Sequence, residues 1–164
     1  MMRHRVRRSS GSAAFTIIVV SLLLALLVYF LRSGDTICVW TIGAALGILV
    51  AGALYFTPLA VSVDSRNLSV HRPMSAKSIS LNDICDVKLC PPTMGARRIV
   101  GSGGFAGSWW GWFSEEDTGK YFAYYGKSSD CFLVTLKSGR KYMIGCENPD
   151  VIVDCIRKAI GQNL

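Results

Sequence analysis

Histidine is nearly absent from this 164-residue chain, which has only His4 in a basic N-terminal stretch and His71 alone on a predicted strand. A Ser/His/Asp triad needs a histidine held by its neighbours, and a zinc site needs several ligands brought together. Neither chemistry has its parts here. The six cysteines include no CxxC pair and no Cys/His cluster; Cys38 sits in an apolar run, leaving Cys85, Cys90, Cys131, Cys146 and Cys155, an odd number. That pattern predicts free thiols rather than a disulfide framework or a zinc site. Glu115-Glu116-Asp117 reads as a solvated turn, not a catalytic pair. Gly101 to Ala106 formally fits GxGxx(G/A), but no βαβ unit surrounds it, Gly111 interrupts the helix it should open, and it lacks Gly-Lys-Ser/Thr. The chain is therefore expected to be non-enzymatic, with no catalytic residue, cofactor or metal.

Charge is missing from two long stretches as well. Residues 13–31 hold none in 19 positions, and residues 37–63 hold none before Asp64. At about 1.5 Å rise per residue, either run can cross a hydrocarbon core about 30 Å thick. The first exceeds the ~7–15 residues of a signal-peptide core, and no small-x-small cleavage site follows it. Both runs are apolar on every face, which argues against a soluble helical hairpin. A membrane hairpin over residues 13–58 is expected, with helices at about 13–31 and 37–57, following a basic tail of residues 1–12. Arg3, Arg5, Arg7 and Arg8 precede the first helix, whereas the turn between the helices carries only Arg32, offset by Asp35. The positive-inside bias then places both termini in the cytoplasm, in a multi-pass protein of the inner (cytoplasmic) membrane. Gly43, Gly47 and Ala51 form a small-residue stripe that permits close approach, and Ser21 and Ala25 offer a matching patch. The stripe serves either packing within the hairpin or self-association.

The remaining residues, 59–161, alternate polar and apolar positions between turn signals and end in an amphipathic helix. Strands are expected at residues 59–64, 68–72, 77–81, 84–89, 121–125, 131–136 and 141–145, with tight turns at Asp64–Asn67 and Ser138-Gly139. Asn148 suits an N-cap, Pro149 the first helical position and Asp150 the positive end of the dipole. Ile152, Cys155, Ile156, Ala159 and Ile160 share one face, and Gly161 closes the helix.

The segment Ser138 to Ile144 followed by Asn148-Pro149-Asp150 resembles the end of a bacterial pleckstrin-homology-like (PH) domain. Gly101-Ser102-Gly103-Gly104-Phe105 and Gly111-Trp112-Phe113 resemble the glycine-aromatic signature of its small membrane-anchored members. The resemblance implies a mainly-β PH-like barrel of about seven antiparallel strands with a C-terminal capping helix. It also implies a binding or scaffolding module. Lipid-reading members hold inositol phosphates with several basic residues around the first hairpin, but only Arg66 and Arg72 occur here, beside Asp64. The domain carries 13 Lys/Arg against 10 Asp/Glu, a net of +3. No specific phosphoinositide pocket is expected, and no nucleic-acid partner.

The most unusual segment, residues 97–117, holds Arg97, Arg98, Phe105, Trp109, Trp110, Trp112 and Phe113 among glycines. Three readings stay open: an interfacial loop touching the lipid bilayer, a protein-binding patch, or aromatics folded back on the barrel. The functional expectation is a PH-like module at the cytoplasmic membrane surface that binds a protein partner or itself. The alternatives are a lipid-sensing module using the aromatic loop, and an accessory subunit of a transporter or enzyme complex.

Overall fold

The computed structural model describes residues 2–93 and 95–161. Two long helices, α1 (Ser10–Ser33) and α2 (Thr36–Phe56), are linked by two residues. Gly34 ends α1 in the left-handed region (φ 79°) and donates its N–H to the Phe30 carbonyl, a conformation that costs glycine little. Asp35 then caps α2 by accepting from the Cys38 N–H at 3.2 Å. With mean hydropathies of 2.8 and 2.2, both helices are long and apolar enough to cross a membrane. Partly buried positions recur at Val20, Leu23, Leu27 and Phe30 on α1, and at Val39, Ile42, Leu46, Leu49 and Ala53 on α2. This three-four spacing is that of a left-handed helix seam.

Ten strands follow the topology of two sheets. The first sheet is an antiparallel meander in the order β1 (Met2–Arg5), β2 (Ala60–Val63), β3 (Asn67–His71) and β4 (Ala76–Ser80). The second contains β5 (Ile84–Leu89), β6 (Arg97–Gly103), β7 (Trp109–Glu115), β8 (Gly119–Tyr125), β9 (Cys131–Leu136) and β10 (Lys141–Gly145). Its spatial order is β5-β9-β10-β8-β7-β6. A 3-10 turn at Leu81–Asp83 passes from one sheet to the other. Among the described residues no ladder joins the two sheets, so the mainly-β domain is not a closed barrel.

Three features depart from the sequence reading. The strand count is ten rather than about seven, because the basic tail supplies β1 and the glycine-aromatic segment supplies β6 and β7. Nor is the domain wholly antiparallel, since β10 pairs parallel to β8. The tight turn at Ser138-Gly139 folds β10 back on β9, and the link after β8 crosses the end of β10, where the Cys146 N–H donates to the Asp130 carbonyl at 3.0 Å. That crossing inserts β10 between β8 and β9. Asn148 takes a left-handed φ of 52°, whereas an N-capping residue is ordinarily extended. Asparagine tolerates the left-handed region better than most residues.

The helix α3 (Pro149–Gly161) buries Ile152, Val153 and Ile156 against the core. Arg157 fastens it by donating from Nε and Nη2 to the Val87 carbonyl at 3.3 and 3.2 Å. The main core unites Val61, Leu68 and Val70 of the first sheet with Phe132, Val134 and Ile144 of the second. A separate cluster of Phe113, Tyr121, Ala123, Tyr125, Leu133 and Met143 covers the opposite face of the larger sheet. All six cysteines are free.

Candidate functional site at the helix–domain junction

The N-terminal residues are part of the domain rather than a free tail. Met2 to Arg5 pair with Val63 to Ala60, and Val6 is buried in the main core. The chain is then held step by step. Val6 N–H donates to the Leu59 carbonyl at 3.0 Å, Glu147 N–H to the Arg5 carbonyl at 2.8 Å, and Ser9 N–H to the Gly107 carbonyl at 3.0 Å. The backbone of Arg7 and Arg8 crosses directly over Gly126, where a Cβ would collide with the Arg7 carbonyl. Only a residue without a side chain permits that approach. Arg3, Arg5, Arg7 and Arg8 are therefore exposed side chains on an ordered edge, and Arg7 Nε lies 4.0 Å from Asp130 Oδ2.

The glycine-aromatic segment is a hairpin, not a loop. Arg97 to Gly103 pair antiparallel with Trp109 to Ser114, with a bulge between Arg98 and Val100. Gly101 and Gly111 face each other across the ladder at φ 127° and 120°. A Cβ on either would strike the partner strand's backbone. This Gly-Gly pair lets the strands close up and bend sharply. Arg98 confirms the bend: its Nη1 lies 3.2 Å from where a Gly103 Cβ would stand. Five residues of straight strand would separate the two by about 16 Å.

The tip of this hairpin grips the start of α1. Gly104 (φ 104°) packs on the Ser12 side chain, Ala106 donates its N–H to Thr16 Oγ1 at 3.0 Å, and Gly107 (φ 74°) packs on Ser9 and Ala13. Phe105 lies in the intervening 3-10 turn, half-buried, with its N–H given to Ser102 Oγ at 3.0 Å. Trp110 meets the other helix. Its ring stacks on Phe56 at 4.4 Å and 13° and touches Gly52. Arg72 adds a third bridge, its guanidinium 5.1 Å from the Tyr55 ring and 5.8 Å from Tyr124.

The other expected contact residues divide between core and surface. Trp109 stacks on Tyr125 at 5.6 Å, and Phe113, buried, stacks on Tyr121 at 6.1 Å. Trp112 remains 40% exposed, edge-on to Phe122. Arg97 and Arg98 are exposed. Alternation along β7 explains the split: Trp109, Gly111, Phe113 and Glu115 face one side of the sheet, and Trp110 and Trp112 the other. Glu115 is a correction to the solvated-turn reading. It is 5% exposed, and its Oε1 accepts from Tyr121 Oη at 2.6 Å and from the Thr93 N–H at 3.3 Å. Burial and this carboxylate push the Tyr121 hydroxyl pKa well above its ordinary value.

The small-residue stripe lies away from the hairpin seam. Gly43, Gly47 and Ala51 are exposed on the outer face of α2, and nothing lies within 4 Å of a Cβ built on Gly43 or Gly47. Ser21 and Ala25 also point outward on α1. Larger residues form the seam, because their three-four spacing is the one that faces the partner helix.

Ser9, Thr16, Gly52, Phe56, Arg72 and Gly126 complete the junction, and none carries a motif that marks it in sequence. The bacterial PH domain family matches residues 59–160, and the chain belongs to that family. Its PH domain is accompanied by two helices that could span a membrane. Neither the curated proteins nor the solved structures give a match.

Proposed function

We propose that this chain is a non-enzymatic integral membrane protein whose two helices cross the inner membrane as a hairpin. Its PH domain is held in one orientation on the cytoplasmic surface, where it binds a protein partner. One observation carries this reading: the segment before α1 is a strand of the sheet that begins after α2. A strand cannot pair across a bilayer, so the two ends of a membrane hairpin built this way share one side. The arginine bias at Arg3, Arg5, Arg7 and Arg8 favours the cytoplasm as that side. Three bridges between domain and helices (the hairpin tip, Trp110 and Arg72) support a rigid platform over a flexible tether. Scaffolding suits such a platform, because a pre-oriented surface loses less freedom on binding.

The test combines topology with contact mapping in intact cells. A reporter at the C-terminus should register the cytoplasm, and a photocrosslinking residue at Arg140, on the exposed β9–β10 turn, should give a discrete protein adduct. A periplasmic signal overturns the orientation, and adducts to lipid alone overturn the protein-partner reading. A second reading, membrane-surface sensing, is favoured by the exposure of Trp112 and by Arg98, which lines a cleft beside α1. Liposome binding that falls on Trp112→Ala would support it. That comparison requires the full chain, because a fragment starting at residue 59 lacks β1 and the buried Val6.

A further inference from the structure

We infer that a cleft between the start of α1 and the β6–β7 tip holds one anionic phospholipid of the surrounding bilayer. Its phosphate lies against Arg98 and its hydrocarbon along Phe15 and Val19. This rests on the membrane-crossing reading of α1 and α2. The cleft has a volume of about 380 Å³ and lies beside the first turns of α1, where that helix would enter the membrane. Its two ends differ in chemistry. One is apolar, with Phe15, which is 68% exposed, together with Val19 and Phe105. The other presents the Arg98 guanidinium and the hydroxyls of Ser12 and Ser102.

No carboxylate lines this cleft, and among the described residues Arg98 has no acidic partner within ion-pair distance. Other basic groups nearby are differently placed: Arg72 lies between Tyr55 and Tyr124, Arg97 lines a separate cleft with Glu115, Glu116 and Asp117, and Arg8, whose Cβ packs on Gly107, lines another with Arg3 and Arg5. Gly103 leaves room for the guanidinium, since a Cβ there would stand only 3.2 Å from Nη1. A guanidinium in this position offers a planar pair of donors to phosphate oxygens. Ser102 Oγ accepts from the Phe105 N–H, which leaves its own proton to donate to the same phosphate. An anion at one end and hydrocarbon at the other describes a phospholipid, and the apolar end is continuous with the lipid-facing surface of α1.

The experiment uses the full-length protein, purified in detergent and stripped of lipid. Native mass spectrometry then follows the binding of phosphatidylglycerol and of phosphatidylcholine with identical chains. One phosphatidylglycerol should be retained in preference. Arg98→Ala should lower that preference about fivefold, the worth of one basic residue at an anionic surface. Arg98→Lys should fall between, and Arg97→Ala should match the parent. Equal retention by parent and Arg98→Ala overturns the inference, and so does displacement of the lipid by millimolar glycerol phosphate, which would mark a site for the anion alone. Alkaline carbonate extraction of the parent separates the two levels. Release from membranes refutes the membrane-crossing reading itself, whereas retention without lipid preference refutes only the cleft.

Discussion

Gly126→Ala should pry the N-terminal strand off the domain while leaving the rest folded. A Cβ at this position would collide with the Arg7 carbonyl oxygen and stand 2.9 Å from its carbon and 3.2 Å from the Arg8 Cα. All three are backbone atoms, so no side-chain rotation relieves the contact. Overpacking of this kind costs about 1–3 kcal/mol. The tail is an edge strand held by backbone pairing and, among its described side chains, by the buried Val6, and it yields more readily than Gly126, which is buried just after β8. The strain therefore appears as a shift between docked and lifted tail, and about 1–3 kcal/mol corresponds to a 5–150-fold rise in the lifted population. The tail carries its own reporter, because Arg5, Arg7 and Arg8 are trypsin sites protected by pairing and docking. When closing is fast relative to cleavage, the cleavage rate follows the open population. Limited trypsinolysis of the full-length protein in detergent, read by mass spectrometry, should show faster release of the N-terminal peptides by that factor. Gly11→Ala is the control, since nothing lies within 4 Å of a Cβ there. Unchanged cleavage at Arg5 to Arg8 would refute the reasoning. Cleavage accelerated equally throughout the domain would do so too, by showing that the domain yields instead of the tail.

Three further outcomes are expected. Tyr121→Phe removes the 2.6 Å donor to the buried Glu115 carboxylate and should destabilise the domain by about 1.5–3 kcal/mol in chemical denaturation; additivity with Glu115→Gln in a double-mutant cycle would count against a shared interaction. Gly101→Ala combines a φ of 127° with a collision against the Trp110 carbonyl, and should exceed the about 1–3 kcal/mol of backbone strain alone, seen as loss of folded protein in thermal melts. Stability should fall in alkali: burial pushes the Cys146 thiol from 9.0 up to about 12, and pushes Cys131, Tyr121 and Tyr125 upward as well. The unfolded chain then loses these protons first, so stability is level below pH 9.0 and declines from there towards about 12. A melting temperature that stays flat across that window would contradict this burial.

Legibility in the sequence followed the range of the forces involved. Strands β5, β9 and β10 occupy the residues expected of them, because alternation and turn residues act within a few positions. The β6–β7 hairpin escaped such reading because its glycines look like a loop. They are needed for the opposite reason: Gly101 and Gly111 let two strands approach and bend, and only their register reveals the pairing. Glu115 looked solvated among acidic neighbours until the sheet brought Tyr121 against it. The small-residue stripe was visible, but which face of α2 meets α1 depends on the whole spacing of larger residues.

By itself the sequence determined two uninterrupted apolar helices and a mainly-β domain closed by an amphipathic helix. Hydropathy, periodicity and capping are local properties, and they leave little choice of element. Tertiary structure alone decided that Met2 to Arg5 form a strand of that domain, that Trp110 leans on Phe56 and that Arg98 lies over Gly103. Each joins residues distant in the chain or folded together by a backbone bend. Their contacts depend on register and close approach, and the composition of either segment carries no record of them.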